Sequence, residues 1–295
     1  MEYTFYVPSR LNGDAEGFEI LSSFAAFCYD KQYSDITIDF NPCTFIQGNL
    51  CAVLGAIIKD LQSKNNVVRI INVNDEILGL LKRNEFLYHY QYGEKIYDDR
   101  NTCIPYNIFT LNDEENATNF FLSQIFEKPK MPNMSPMAKK KIIRNIFEIC
   151  VNAVTHSGCN IVHCCGQVFR TGLRKAIVTF VDTGKTIKQN VNAHLGSNKS
   201  GSECILWAME DGNTTREGNT PGGLGLNEVY QLIDMNKGKL QIISADGYVE
   251  ILGGKKNSYY IGSSFPGTIV NMEIKLNDDN FYFLDSEALE QTVIF

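Results

Sequence analysis

The stretch Lys140–Gly158, KKIIRNIFEICVNAVTHSG, decides the fold of the second half of this chain. Residues four apart share one face of a helix, and this stretch places a polar stripe there, formed by Arg144, Glu148, Asn152 and His156. The neighbouring positions are apolar, so we expect a buried helix. Because burying a charged group is costly, charged side chains in such a helix indicate a functional role. The alternative is a solvent-facing stripe with an ion pair between Arg144 and Glu148.

Two glycine-containing segments follow this helix. VDTGKTI (181–187) places Asp182 at the end of an apolar strand, before a glycine turn, although Asp-x-Gly alone is also a common turn. TPGGLGLNEVYQLI (220–233) opens a helix with Gly222, Gly223 and Gly225. Glycines let backbone N–H groups approach a phosphate, and the helix N-terminus adds a favourable dipole. The segment is not a P-loop, and it does not follow a strand directly as a dinucleotide fingerprint does.

Length and composition exclude several classes of protein. The 295 residues suit two domains or one large one, and 44% hydrophobic with 21% charged residues is typical of a globular chain. A net charge of −7 argues against a broad basic face for nucleic acid. The longest nearly unbroken apolar run, 50–58, is shorter than the roughly 18 residues of a membrane span, and the opening MEYTFYVPSR is not a signal-peptide pattern. We therefore expect a cytoplasmic protein without direct nucleic-acid or membrane contacts.

Nine cysteines raise the question of disulfides or a metal. The number is odd, no Cys-x-x-Cys pair occurs, and several cysteines lie in apolar segments, so buried reduced thiols are expected. The alternative is a zinc site built from His156, Cys159, His163, Cys164 and Cys165. Zinc modules repeat paired ligands across a loop, whereas these residues form one compressed cluster in a strand-like run.

The first hundred residues alternate strand and helix patterns. Strands are predicted at 3–7, 35–40 and 67–73, and helices at 17–28, 49–61 and 75–84. Nearly continuous apolar strands joined by helical crossovers indicate a sheet covered by helices. The predicted fold class is therefore α/β, an α+β sandwich in two domains.

Three prolines within eight residues, at 129, 132 and 136, mark the main boundary, because they end a helix predicted over 113–127. Beyond it, helices are predicted at 137–156 and 224–234, and strands at 161–169, 176–181, 239–243, 248–251 and 268–276. A long polar segment at 183–223 contains one apolar island. The predicted division has domains at 1–108 and 137–276, a connecting helix and Pro/Met-rich linker at 109–136, and an apolar tail at 277–295 that docks on the protein.

In this order, the elements resemble the GHKL ATPase superfamily, which includes gyrase, the heat-shock chaperone, sensor histidine kinases and mismatch-repair ATPases. EICVNAVTH (148–156) resembles the N-box, DTGKT (182–186) the first glycine box and GLGL (223–226) the second. The polar segment between the glycine boxes resembles the lid. Gly267 and Thr268 resemble the last adenine-pocket motif. The resemblance covers about 137–276 and implies a Bergerat-type sandwich, with a mixed sheet and helices on one face.

The resemblance implies a role for each matching residue. Asn152 is expected to coordinate Mg²⁺, and Glu148 to act as general base toward water. Asp182 is expected to accept from the adenine amino group with support from Thr268, while Gly184 lets the backbone lie against the ring. Backbone donors at Gly222, Gly223, Leu224 and Gly225 are expected at phosphate. Lys199 and Arg216 are candidates for phosphate contact, or else solvated lid charges; His156 is assigned to structure.

One position departs from the superfamily pattern. The first glycine box usually has a second glycine at the position that Thr186 occupies here. Because a β-branched residue is stiff and disfavours positive φ, we expect lid hinging or nucleotide exchange to differ.

The N-terminal half resembles a STAS-like domain, the fold of anti-anti-sigma regulators, with a mixed sheet and helices. The stretch DITIDFNPCTFIQGNLCAVLGAII (35–58) resembles its strand–loop–helix unit. The loop tip normally holds a phosphoacceptor serine, but here it reads FIQGN (45–49). Phosphorylation-controlled partner switching at this loop is therefore not expected. A generic α/β accessory domain is the alternative.

Three functions remain open. The first is a Mg-ATP-binding, ATP-hydrolysing regulatory switch, whose lid closure is read by the N-terminal domain, a protein partner or a second copy in a homodimer. The second is a serine/threonine protein kinase of the anti-sigma type that acts on a STAS-like partner. The third is a non-catalytic nucleotide-sensing module. Histidine autokinase activity is not expected, since His89 is predicted to lie in a Tyr-rich strand or turn.

Overall fold

The structure is a computed structural model that describes residues 1–110, 113–157, 161–210, 212–213, 224–284 and 286–287. For 147–157 and 224–228 it describes the backbone alone. The chain is a mixed α/β protein with helices around two main sheets, as the sequence predicts.

Parallel strands and helices alternate through the first hundred residues. The strands are β1 (Glu2–Tyr6), β2 (Arg10–Leu11), β3 (Asp35–Asp39), β4 (Phe45–Ile46) and β5 (Val67–Ile71), and the helices are α1 (Ala15–Cys28), α2 (Cys51–Ser63), α3 (Asp75–Arg83) and α4 (Phe86–His89). β1, β3 and β5 form one sheet in that order. All its pairs are parallel, so the mixed sheet predicted here is wrong. Each strand returns through a helical crossover, which leaves consecutive strands parallel. His89 lies in α4, not in the predicted strand or turn.

The second sheet has five strands and is antiparallel. Its half of the chain contains β6 (Cys103–Thr110), α5 (Glu114–Phe121), β7 (Asn133–Met134), α6 (Pro136–Ser157), β8 (Ile161–Phe169), β9 (Lys175–Asp182), α7 (Ile187–Leu195), α8 (Gly201–Ala208), α9 (Leu224–Met235), β10 (Lys239–Leu252), β11 (Lys255–Lys275) and β12 (Phe281–Tyr282). The strand order is β10-β11-β9-β8-β6, and every pair is antiparallel. The mixed sheet predicted for this half is therefore also wrong, because short connections such as those between β8 and β9 reverse the chain.

The chain enters the five-stranded sheet earlier than its apolar pattern suggests. β6 pairs with β8, although it begins before residue 108, where the first domain was predicted to end. Pro105 interrupts the strand pattern of this segment, and proline is tolerated on an edge strand. The helix predicted over 113–127 is confirmed in α5 and a π-helical turn at Leu122–Phe126, and Phe121 and Ile125 are buried in the core. The division into domains stays a prediction.

Two apolar cores lie on opposite faces of this sheet. One core joins α5, α6 and α9 to strand residues such as Phe180 and Met272. The other joins α1 and α2 to Val181 and Ile269 on the same two strands, because successive strand residues point to opposite faces. Helices therefore cover both faces, and the prediction of helices on one face only is wrong: the N-terminal half covers the second face.

The C-terminal segment docks, as predicted, as far as the structure describes it. β12 pairs in parallel with β7, and Tyr282 is buried; Ile294 and Phe295 lie outside the described residues. The predicted burial of cysteines is confirmed at the described positions Cys28, Cys43, Cys51, Cys103, Cys164, Cys165 and Cys204, which are free thiols. Among the helices in the described ranges, none combines the length and apolarity needed to cross a bilayer.

Candidate functional site

A buried carboxylate ends the central strand β9. Asp182 is 1% exposed and lies opposite Thr268 on β11. The N–H of Gly184 donates to its Oδ1 at 3.1 Å, which closes the turn after the strand. Burial raises the pKa of Asp182 to about 7, and the N–H groups of Gly184 and Thr268 offset part of that increase. Among the described side chains, no cation forms an ion pair with this buried carboxylate. A buried acid with a raised pKa is typical of functional sites.

Two hydroxyl groups lie beside this strand end. Ser244 Oγ on β10 donates to the carbonyl of Gly267 at 2.8 Å and accepts from the N–H of Ile187 at 2.9 Å. It also lies 3.1 Å from Thr268 Oγ1. The site therefore joins β9, β10, β11 and the start of α7, and it presents one acidic and two hydroxyl groups to one place.

Gly267 permits the close approach of β11 to this acid. Its φ is +146°, in the region that favours glycine. A Cβ atom at this position would lie 2.0 Å from the carbonyl oxygen of Asp182. No side chain fits that gap, which is a physical reason for the glycine before Thr268.

Thr186 has a defined structural role in place of the expected glycine. It is the N-cap of α7, with φ −75° and ψ 157°, and it forms a capping box with Gln189. Because its φ is negative, the β-branched side chain is compatible with the backbone. This geometry does not test the expected change in lid hinging. Threonine in place of the usual glycine causes no backbone strain at this position.

The first part of the predicted lid consists of two capped helices. α7 and α8 are tied to β10, because Asp246 pairs with Lys188 at 2.8 Å and accepts from the N–H of Gly201 at 3.1 Å. Lys199 lies between the two helices, where its N–H donates to Asn192 Oδ1 at 2.7 Å. Within the described residues, no contact brings Lys199 to Asp182, so its role at phosphate stays a prediction.

Several predicted site residues cannot be placed as side chains. Glu148, Asn152 and His156 lie within α6, which confirms the predicted helix, but only its backbone is described at these positions. Leu224 and Gly225 lie in the first turn of α9, whereas Arg216, Gly222 and Gly223 lie outside the described residues. α6 and α9 contact each other on the face of the sheet that carries Phe180, which is also the face of Asp182. The roles predicted for these residues stay predictions.

The opposite face carries a polar seam that the sequence analysis missed. This seam consists of Asn49, Thr179, Asn271 and Gln241, all buried. Asn49 Nδ2 donates to Thr179 Oγ1 at 2.9 Å and to Asn271 Oδ1 at 3.1 Å. Asn271 Nδ2 donates to Gln241 Oε1 at 2.6 Å, and Gln241 Nε2 donates to the carbonyl of Gly13 at 3.2 Å. The sequence contained one indication of this seam, because Thr179, Gln241 and Asn271 are each polar residues inside an otherwise apolar strand.

Comparison with protein families and with curated proteins finds no match. Among solved structures, the chain is similar to the histidine kinase domain from the Erythrobacter litoralis EL346 blue-light activated histidine kinase. The alignment covers 89% of this chain and 94% of that one, with 13% sequence identity and a TM-score of 0.26. A TM-score of this size does not establish a shared fold. The residues around Asp182 therefore provide the stronger indication of function.

Proposed function

We propose that this chain binds an adenine nucleotide with Mg²⁺ and acts as a nucleotide-dependent regulatory switch of the GHKL type. The observation that carries the proposal is the buried carboxylate of Asp182, which has no cation among the described residues and lies beside Thr268. An isolated buried acid is costly to maintain. A ligand that donates a hydrogen bond to it offsets that cost, and the exocyclic amino group of adenine is such a donor.

The surrounding residues fit this ligand. The carboxyl group of Asp182 accepts hydrogen bonds most strongly when it is ionised, and the N–H of Gly184 at 3.1 Å favours the ionised form. Ser244 and Thr268 supply hydroxyl groups beside it, and the close approach of β11 at Gly267 leaves no room for a side chain there. A small set of convergent polar groups in apolar surroundings is typical of small-molecule sites.

The phosphate end of the site rests on the resemblance. Asn152 is the proposed Mg²⁺ ligand, since amide oxygen suits a hard cation; bound Mg²⁺ neutralises phosphate charge. Backbone N–H groups at Leu224 and Gly225 are proposed phosphate donors, because they lie in the first turn of α9.

Hydrolysis is the proposed reaction, with Glu148 as the base that takes a proton from water. We expect Glu148→Ala to retain nucleotide affinity and lose phosphate release, and Asn152→Ala to lose Mg²⁺-dependent binding. Steady-state phosphate release and calorimetry separate the two effects. Equal phosphate release by the wild type and Glu148→Ala would contradict hydrolysis by this residue.

The polar seam supports readout by the N-terminal half. β9 and β11 each carry a site residue, Asp182 or Thr268, on one face and a seam residue, Thr179 or Asn271, on the other. Asn49 of the N-terminal half bonds both seam residues. A shift of either strand on nucleotide binding therefore changes hydrogen bonds that hold the N-terminal half in place.

Calorimetry with the non-hydrolysable ATP analogue AMP-PNP, with and without Mg²⁺, tests the binding proposal. We expect saturable binding that Asp182→Asn weakens. Asp39→Asn is the matched control, because Asp39 is also a buried aspartate that ends a strand, but in the other sheet. Absence of binding by the wild-type chain would refute the proposal.

A further inference from the structure

A cavity lies at the edge of the five-stranded sheet formed by β6, separate from Asp182. It has a volume of about 330 Å³, at the small end of the range for small-molecule sites. It opens between α4, the edge strand β6 and the helix that follows β6. Its lining consists of Glu85, Tyr88, His89, Pro105, Tyr106, Asn107, Phe120 and Gln124.

Three departures from regular backbone meet at this cavity. Glu85 has a φ of +62°, which is uncommon for a residue with a side chain. β6 bulges at Pro105 and Tyr106, where its register with β8 shifts. Gln124 lies in the π-helical turn Leu122–Phe126. Bulges, left-handed non-glycine residues and π-turns are each enriched at functional sites, and here all three contribute lining residues to one cavity.

One wall of the cavity is fixed from behind. Tyr106 Oη lies 2.6 Å from Tyr90 Oη and 2.6 Å from His163 Nδ1. Gly55 leaves room for this ring, since a Cβ there would lie 2.2 Å from Tyr106 Oη. Within the described chain, the buried Nε2 of His163 has no partner. Tyr106 is therefore held in place without a ligand, as a preorganised site requires.

The lining combines aromatic walls with hydrogen-bond acceptors. The ring centroids of His89 and Tyr106 are 4.9 Å apart, and Tyr88 and Phe120 add further aromatic surface. The carboxylate of Glu85 is the charged group of the lining. Its ion pair with Lys95 is long, at 3.3 Å, and exposed, so a ligand can replace it at little cost.

We propose that this cavity binds a small planar heteroaromatic amine. The ring packs between the aromatic side chains of Tyr106 and Phe120, and the amino group donates to the carboxylate of Glu85. The amides of Asn107 and Gln124 supply further acceptor oxygens at the cavity wall. A planar acid of equal size is disfavoured, because Glu85 repels it.

Calorimetric or NMR titration of the full chain tests this site with 2-aminobenzimidazole and 2-aminopyridine as probes and benzoate as the acidic comparison. For 2-aminobenzimidazole, which has about ten non-hydrogen atoms, we expect a Kd of about 0.1–1 mM. Glu85→Gln keeps the size of the side chain and is expected to weaken binding at least about tenfold. The matched control Glu94→Gln changes an exposed carboxylate that is not among the lining residues, and is expected to leave the Kd unchanged.

Asp182→Asn distinguishes this site from the proposed adenine site. We expect it to leave the affinity for both amines unchanged, and failure of AMP-PNP to bind would not affect this result. The inference is overturned by no saturable binding of either amine, by equal affinity in the wild type and Glu85→Gln, or by loss of binding in Asp182→Asn. Benzoate binding as tight as that of the amines would also overturn it.

Discussion

Replacing Asp182 with asparagine should stabilise the chain without nucleotide, and increasingly so as the pH rises. Burial raises the pKa of Asp182 from 3.8 to about 7. Between these two values the folded chain holds a proton that the unfolded chain has released, so the free energy of unfolding falls as the pH rises. The difference of about three pKa units corresponds to about 4 kcal/mol above pH 7. Asparagine is neutral throughout, so it removes this cost.

The pH dependence is the diagnostic quantity. An asparagine amide cannot accept both N–H groups as the carboxylate does, which offsets the gain by about 1–2 kcal/mol. That offset does not depend on pH. We therefore expect the stability of Asp182→Asn, relative to the wild type, to increase by about 2–3 kcal/mol between pH 5 and pH 8. Urea unfolding at several pH values, in the absence of nucleotide, measures it.

The control and the ligand complete this test. Asp39 accepts from the N–H of Asn41 at 2.8 Å and from Asn72 Nδ2 at 2.9 Å, so Asp39→Asn is expected to destabilise the chain. Asp182→Asn is also expected to weaken AMP-PNP binding about ten- to hundredfold, the usual value of a charged hydrogen bond. A difference between Asp182→Asn and the wild type that stays constant from pH 5 to pH 8 would refute the assigned burial of a titrating acid.

Three further substitutions test other parts of the structure. Gly267→Ala is expected to destabilise the chain by about 3 kcal/mol or more, because its Cβ would lie 2.0 Å from a carbonyl oxygen. The control Gly196→Ala, where φ is +60° but the surroundings are open, should cost about 1 kcal/mol. Thermal unfolding measures both, and equal decreases in Tm would contradict the close contact at Gly267. Asn49→Ala removes two seam hydrogen bonds and should lower the free energy of unfolding by about 2–3 kcal/mol. Urea unfolding measures this change. An unchanged free energy of unfolding would show that the seam does not stabilise the fold. Thr186→Ala should cost about 1 kcal/mol and Thr186→Gly only a few tenths, and hydrogen exchange in α7 reports whether the cap is responsible.

Local patterns predicted most of the elements. The strands at 35–40 and 161–169 and the helix at 137–156 are found within one or two residues, because apolar periodicity and prolines act over a few residues. The structure also places Thr268 opposite Asp182, as their shared adenine-pocket role in the resemblance implies, while that role stays a prediction. They lie far apart in sequence, so the resemblance, rather than any local pattern, predicted that they meet.

The errors concern long-range pairing. Whether a sheet is parallel or antiparallel depends on which strands pair, and apolar periodicity alone does not encode that pairing. β6 was missed because Pro105 hides its pattern, although an edge strand with a bulge accommodates proline. The seam was missed because Asn49 finds its partners at Thr179 and Asn271, more than a hundred residues away. Its burial depends on the packing of the two halves.

The seam also constrains the order in which the chain folds. Its hydrogen bonds join residues 222 and 228 positions apart, so α2 leaves the ribosome long before the strands that will cover it. During that interval the face of α2 that contacts β8 and β9 has no partner strand, which favours slow folding and transient aggregation. We expect refolding of the full chain to be slow and concentration-sensitive, and chaperones to raise its yield during synthesis.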